Sequence, residues 1–256
     1  MIGAGNVATH LAHQFLKSGH RIKQVFSRNE ASAEFLAEEV HASFTDAVEK
    51  IDKSATLYLV AVNDDAVEQL AERLHFPGGI VAHTSAIIPM EVLEPVSDSI
   101  GVFYPLQTMT KGHELNFRGV PVFIEASDER VRGELLQLAG TISDNVFEAD
   151  FEKRKTLHIA AVFANNFANH LYHIAEFLLK RKDLQLDVLL PLIRETVKKL
   201  DTNKPFAIQT GPAKRGDMQT IEEHLEYLKD YPEFREIYLV LTESLLSVYR
   251  KEDEHV

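Results

Sequence analysis

The chain has no cysteine among its 256 residues, which removes disulfides, thiolate nucleophiles and cysteine-ligated metals in one step. It also lacks any apolar run near the roughly 18 residues that a membrane-spanning helix needs, so no membrane partner is expected. Its first residues carry neither the basic segment nor the cleavage pattern of a secretory signal, and the expected location is the cytoplasm. Basic residues are in the minority: 27 Lys and Arg stand against 39 Asp and Glu, a formal charge of −12. That balance works against general affinity for nucleic acid or anionic membranes, although a local cluster of cations can still hold a small anion. The 12 histidines show no HExxH or other tight ligand spacing. His10 and His13, three apart on the first predicted helix, read as a solvated pair, and no metal is expected.

What is present is hydrophobic patterning of two kinds, in a chain whose 45% hydrophobic content suffices for a substantial core. Through residue 150, short β-branched runs alternate with helical patterns. Helices are expected over 3–17, 31–40, from Thr45, over 64–74 and over 128–139. Strands are expected near 21–26 and at "ATLYLVAV", "GIVAHTS", "IGVFYPL", "VPVFIEA" and "DNVFEAD". Continuous apolar strands suggest burial on both faces, and the βαβ alternation predicts an α/β fold, a doubly wound and mostly parallel Rossmann-like sheet. After Asp150 the strand signals stop. A long helix over 151–182 is expected, then a helix capped by Asp187 with Pro191 in its first turn, a loop "NKPFAIQTGPAKRGD", and helices from Met218 and over 233–249. The expected organisation is a dinucleotide-binding domain over 1–150 and an all-helical domain over 151–256.

"GAGNVA" places Gly3, Gly5 and Ala8 in the three small positions of G-x-G-x-x-[G/A]. Gly3 permits the tight turn, Gly5 lets the backbone approach a pyrophosphate, and Ala8 allows close packing of the helix on the sheet. The N–H groups at the helix start, at Asn6 and Val7, then face the anion with the helix dipole behind them. About 20 residues on, where an NAD site carries Asp or Glu to bind the ribose 2′-hydroxyl, this chain has Ser27, Arg28 and Asn29. A carboxylate there would repel a 2′-phosphate, whereas Arg28 can pair with one and its neighbours can donate further hydrogen bonds. NADP is therefore the expected cofactor, the alternative being an exposed loop arginine with Glu30 as the strand-end acid. Only Met1 and Ile2 precede the turn, fewer than the five or six residues of a typical strand. The expectation is that Met1 occupies the last part of the first strand and that the chain is shortened at its N-terminus.

The combination of "IGAGNVATHLA", "VFSRN", "VAVNDDAV", "VAHTSAI", "GVFYPLQT" and, far downstream, "TGPAKRGD" followed by "HLEYL" resembles a family of NADP oxidoreductases. Their Rossmann domain is similar to that of the deazaflavin-dependent NADP oxidoreductases, and they end in a helical domain of undefined function. More distantly the chain resembles pyrroline-5-carboxylate reductase and the β-hydroxyacid dehydrogenases. The resemblance implies that Val62, Asn63 and Asp64 lie beside the cofactor and that His83, Thr84 and Ser85 lie near the nicotinamide. His83 is then a candidate proton shuttle, or a histidine merely hydrogen-bonded at a strand end.

On the long helix, His158, Asn165, Asn169, Tyr172 and Glu176 fall within about 40° of one another at 100° per residue. Such a stripe must find partners if buried, either on a substrate in the cleft between domains or across a dimer interface. The β-hydroxyacid dehydrogenases carry a lysine four residues before an asparagine on the corresponding helix. Here the positions four before Asn165 and Asn166 hold Ala161 and Val162, so 2-hydroxy-acid chemistry is in doubt, and Lys155 or His158 could substitute only with a shifted substrate. In "TGPAKRGD", Asp217 suits a helix cap and Arg215 is a candidate anchor for an anionic substrate. Tyr104 and Gln107 are candidates to line the same cleft.

The expected function is hydride transfer between NADP and an unidentified small substrate in the interdomain cleft, with His83, His158 and Asn165 as catalytic candidates and Tyr104, Gln107, Asn169 and Arg215 toward the substrate. A homodimer through the helical domain is expected, because the long apolar helix has more surface than one chain covers. The alternative is a catalytically idle NADP-binding sensor or assembly protein. No sequence feature singles out a deazaflavin as second cofactor.

Overall fold

The computed structural model describes residues 1–253, and the chain separates into two units, Met1–Asn165 and Asn166–Val256. The first unit runs α1 (Asn6–Lys17), β1 (Gln24–Phe26), α2 (Glu30–Glu39), β2 (Ser43–Thr45), β3 (Leu57–Val60), α3 (Asp64–Ala71), β4 (Ile80–His83), β5 (Ile100–Pro105), β6 (Val122–Ala126), α4 (Glu129–Ile142), β7 (Val146–Glu148) and α5 (Phe151–Ala161). Strands β3, β4 and β5 pair in parallel, β6 runs antiparallel to β5, and β7 is parallel to β6. Strands β1 and β2 form a parallel pair of their own. Ile2 joins the two groups, bridging Phe26 on one side and Val60 on the other. The result is the mostly parallel Rossmann-like sheet that the sequence pattern predicts.

Alternation along the strands explains why both faces are covered. Leu59, Ile80, Ala82 and Phe103 face a core completed by Leu11 and Phe15 of α1 and by Val131, Leu135 and Ile142 of α4. Tyr58, Val60, Val81 and Ile100, one residue out of step, face the opposite core with Val67, Leu70 and Ala71 of α3. A period of two with apolar residues in both phases gives continuous apolar runs, the mark of a doubly covered sheet.

Met1 and Ile2 do the work of the central strand. The Ile2 N–H donates to Leu59 O at 2.7 Å, the Ala61 N–H to Ile2 O at 2.7 Å, and the Phe26 N–H to Met1 O at 2.9 Å. A cavity of about 450 Å³ lies between β1 and β3, lined by Met1 and Ile2 among others. Side chains span its mouth: Gln24 Oε1 accepts from the Asp52 N–H at 2.8 Å, and Lys23 pairs with Asp52 at 2.9 Å.

Local departures from the expected elements have local causes. The helix expected from Thr45 is a single 3-10 turn, Val48–Lys50. Thr45 is claimed by β2, and its Oγ1 accepts from the Ala47 N–H at 3.1 Å. The long helix is broken by a π turn, Val162–Phe167, between α5 and α6 (Ala168–Lys180). A π turn takes up about one extra residue, so the 100° register behind the polar stripe from His158 to Glu176 does not run through it. Asp187 lies inside a 3-10 turn, Leu186–Leu189, and α7 (Leu190–Lys199) starts after it with Pro191 in its first turn. The expected loop over 203–217 contains two short helices, α8 (Pro205–Ile208) and α9 (Pro212–Arg215). Helices α10 (Met218–Tyr227) and α11 (Pro232–Asp253) complete the second unit.

That second unit has little interior of its own. Among its described residues only Ala213, Ile221, Leu228, Thr242 and Tyr249 are buried, and α6 and α7 bury none. Leu171, Val188, Leu192, Val197 and Val240 are exposed. Among the described residues no helix is long and apolar enough to cross a membrane.

Candidate functional site

The glycine turn is built around two glycines with opposite surroundings. Gly3 has φ +116° and donates its N–H to Phe26 O at 2.7 Å. A Cβ on it would stand 2.1 Å from Ala61 O, so the chain crosses β3 too closely for any side chain. Gly5 is the N-cap of α1, makes no side-chain cap bond, and has no acidic residue in the helical turn behind it. A Cβ there would meet nothing within 4 Å. The first glycine is thus required by packing, whereas the second faces open space. Ala8 is fully buried, which lets α1 sit close to the sheet.

A cleft of about 370 Å³ runs from this turn along the ends of β1 and β3. It gathers Gly3, Gly5, Ser27, Arg28, Asn29, Val62 and Asn63, separated by up to 60 positions in the expected order of a dinucleotide site. Strand β1 ends at Phe26. The Ser27 Oγ accepts from the Asn29 N–H, and Asn29 Oδ1 accepts from the Ser32 N–H at 2.9 Å as the N-cap of α2. Two members of "SRN" therefore shape the turn, while Arg28 is exposed. Among the described residues no carboxylate pairs with it. Glu30 belongs to the first turn of α2, where the helix dipole favours an acid. Asn63 caps α3 without a side-chain bond, and Asp64 stands in that helix's first turn, outside the cleft lining. Asn6 and Val7 open α1.

A second cluster stands at the ends of the next strands. His83, Val102 and Glu125 are successive cross-strand partners on β4, β5 and β6, so they lie in one row on one face of the sheet. Tyr104, two residues beyond Val102, shares that face. Over the row lies Arg154 of α5, fully buried, ion-paired with Glu125 and donating to Ile88 O at 2.7 Å. Removing one partner of such a pair costs about 3–5 kcal/mol, because the other charge is left buried and alone.

The ring of His83 is wholly buried. Its Nδ1 accepts from the Ser85 N–H at 3.2 Å, so the neutral ring carries its proton on Nε2. Among the described residues Nε2 has no hydrogen-bond partner. Burial, and then the charge of Arg154, push the His83 pKa down to about 4. Ser85 Oγ accepts from the Ile87 and Ile88 N–H groups, which shapes the loop that Arg154 pins, and Thr84 follows the strand end with its N–H on Val60 O at 3.1 Å. Tyr104 is buried except for a small edge, and its hydroxyl stands 3.4 Å from His158 Nδ1. Burial raises the Tyr104 pKa, and the nearby Arg154 opposes that shift.

The remaining candidates lie on other elements. Gln107 Oε1 accepts from the Thr108 N–H at 2.8 Å and is exposed. Asn165 lies on the π turn, and Asn169 on α6 in the second unit. Arg215 is the exposed last residue of α9. "TGPAKRGD" forms that single turn between two left-handed glycines, Gly211 (φ +108°) and Gly216 (φ +68°). Lys214 lies 4.0 Å from the Tyr249 ring centroid, a cation–π contact, and Asp217 caps α10 through the Thr220 N–H. His10 bonds Thr110 O at 3.0 Å, and His13 pairs with Glu39.

Two residues went unseen in the sequence. Arg154 lies in "FEKRKT", a string of cations of which it alone is buried. The one signal was Asp150, which caps α5 through the Lys153 N–H and so fixes which residue of the first turn faces inward. Lys111 places its ammonium 2.7 Å from Ala4 O, in the middle of the glycine turn.

Comparison with known proteins follows the two halves. Residues 1–107 match a model described as a Rossmann-like domain, and residues 120–245 match a domain of unknown function, DUF2520. No curated protein matches the chain. Among solved structures, a putative NADP oxidoreductase from Bacteroides fragilis is 43% identical, with a TM-score of 0.91 over 96% of each chain. A reductive aminase from Aspergillus terreus, in complex with NADPH and ethyl levulinate, is 15% identical with a TM-score of 0.71 over 98% of this chain and 92% of its own. A pyrroline-5-carboxylate reductase from Coxiella burnetii is 12% identical with a TM-score of 0.57 over 98% and 96%. The last two show a shared fold.

The contrast between the two glycines is open to a direct test by urea unfolding. Gly3→Ala combines a left-handed φ with a clash against backbone and is expected to cost about 3 kcal/mol. Gly5→Ala is expected to stay within about 0.5 kcal/mol of the parent. Equal losses would contradict the assignment of packing to one glycine and ligand space to the other.

Proposed function

The chain belongs to the family of putative NADP oxidoreductases in which a Rossmann-like domain precedes DUF2520, and on that premise we propose that it moves hydride between NADP and a small neutral carbonyl or imine compound at the carboxyl edge of the sheet. The observation that carries this reading is the cleft that joins the open face of Gly5 to an unpaired Arg28. The empty space at Gly5 fits a pyrophosphate drawn close to the backbone, and Arg28 fits a 2′-phosphate. Ser27, Asn29, Val62 and Asn63 line the cleft between them.

The bound cofactor supplies the hydride chemistry, and the protein supplies position and a proton. Thr84 and Ser85, at the end of β4, border the nicotinamide in this reading. The buried neutral His83 holds the Ser85 amide and so shapes that border instead of shuttling protons. Tyr104 is the proton donor: burial keeps its hydroxyl protonated at neutral pH, and His158, 3.4 Å away, returns the proton. Apo geometries of this length commonly tighten with substrate bound. Arg154 opposes the rise in the Tyr104 pKa while its own charge is answered by Glu125. The reductive aminase and pyrroline-5-carboxylate reductase among the structural neighbours support C=N or C=O substrates, and the absence of a lysine at 161 or 162 argues against a 2-hydroxy acid.

A homodimer through the second unit belongs to the same proposal. A stretch of about 90 residues whose described part buries five falls well short of the interior that a stable body of that size has. The exposed Leu192 and Val197 of α7 and Val240 of α11 are the surface that a second copy would cover.

Three measurements test the proposal. Titration by NADPH fluorescence should show Arg28→Ala weakening NADPH by about 10–100-fold while leaving NADH nearly unchanged; equal losses would remove the 2′-phosphate assignment. In a panel of imines and carbonyls followed by NADPH oxidation, Tyr104→Phe should lower kcat by about 10²–10⁴ with KM little changed. Tight NADPH binding without turnover of any substrate would favour an NADP-binding sensor instead. Sedimentation at micromolar concentration should give twice the 28.9 kDa chain mass, and Leu192→Glu should shift it toward the monomer; a monomeric parent would overturn the dimer.

A further inference from the structure

We propose that the loop between β5 and β6 is a clasp over the glycine turn, and that Lys111 on it is the cation that binds the cofactor's pyrophosphate. This rests on the NADP reading above and adds a residue to it from outside the sequence motif. The loop is fixed at three successive residues. Met109 is buried in the core beneath α1 and α4. The Thr110 carbonyl faces the ring of His10 on α1 at 3.0 Å. Lys111 gives its ammonium to Ala4 O at 2.7 Å and points its backbone N–H at Asn6 Oδ1, 3.4 Å away. Gly112, at φ +80°, then turns the chain away.

Electrostatics argue for a ligand at this ammonium. The protein is strongly acidic, and Asp64 and Asp65 open the helix that follows the neighbouring strand. A ligand with a pyrophosphate and a 2′-phosphate needs local cations to overcome that field. Arg28 answers the 2′-phosphate. At the turn itself, α1 offers backbone N–H groups without a basic side chain in its first turn. Lys111 supplies the missing charge. A lysine ammonium has three donors, and the Ala4 carbonyl uses one. Among the described residues no carboxylate pairs with it, so it is held at the turn by a neutral acceptor and keeps donors for an anion.

The test separates the two cations by ligand. Dissociation constants of NADPH, NADH and adenosine 2′-phosphate are measured by fluorescence and calorimetry for the full chain, Lys111→Met, Lys111→Arg and Arg28→Ala. Lys111→Met should weaken NADPH and NADH alike, by about tenfold or more, and leave adenosine 2′-phosphate, which has no pyrophosphate, unchanged. Lys111→Arg should recover part of the loss. Arg28→Ala should give the complementary pattern, with NADPH and adenosine 2′-phosphate weakened and NADH spared. If Lys111→Met leaves both dinucleotides within twofold, or weakens all three ligands equally, the clasp is wrong while the cofactor assignment stands. If the parent protein binds neither dinucleotide, both fall together. Lys111 is exposed, and an unliganded melting temperature close to the parent's would show that Lys111→Met reports binding and not folding.

Discussion

The structure of the first unit depends on three residues of backbone. Ile2 is bonded to Leu59 and Ala61 on one side, while Met1 and Gly3 are bonded to Phe26 on the other. Without those bonds no strand ladder would join the β1–β2 pair to the five-stranded group. Arg28 hangs from the end of β1 and Asn63 from the end of β3, so the cleft between them exists only because a short central segment holds these strands one strand-width apart. The Ile2 side chain, almost completely buried in the core beside Phe26, Val60 and Val81, anchors the segment as firmly as its hydrogen bonds do. Gly3 then has no freedom of placement. It must pass Ala61 where any Cβ would collide with a carbonyl, which is why the turn begins where it does and why its first residue lacks a side chain.

The legibility of the fold follows from how its parts are stabilised. Strands covered on both faces must be apolar at every position, so "ATLYLVAV" and "IGVFYPL" declare themselves locally. The glycine turn and "SRN" are equally legible, because the spacing between them is set by one helix and one strand. The expected helix at Thr45 failed because a three-residue strand, β2, captured that residue for pairing with Phe26, a non-local demand with no trace in local propensity. The π turn at Val162–Phe167 was hidden for a related reason: a single i→i+5 turn leaves no periodic signature in a helix whose apolar residues surround it.

The site residues divide in the same way. Gly3, Gly5 and Arg28 stand out in the sequence because their expected roles are tied to a local motif. Lys111 lies 107 positions from the carbonyl it bonds, and only the antiparallel return of β6 brings its loop over α1. Arg154 was hidden among like neighbours. Lys153 pairs with Asp150 at the surface and Lys155 lies 5.8 Å from the Phe151 ring centroid, whereas Arg154 turns inward onto Glu125. Three adjacent cations meet three different fates because a helix rotates each by about 100° from the last.

This rotation also separates two uses of positive charge. Arg28 and Lys111 are exposed and, among the described residues, have no carboxylate partner, so each can meet an anion with little desolvation cost. Arg154 is buried and already neutralised, and a second anion brought to it would have to displace Glu125 from an ion pair shielded from water. Its field nevertheless reaches its neighbours: it adds to the burial that lowers the His83 pKa, and it opposes the rise in the Tyr104 pKa. In the proposed reaction the exposed cations therefore select the cofactor, and the buried one tunes the proton chemistry without competing for phosphate. The sheet enforces that division, because β1 and β3 end beside the glycine turn while the row of His83, Val102 and Glu125 lies beneath Arg154 of α5.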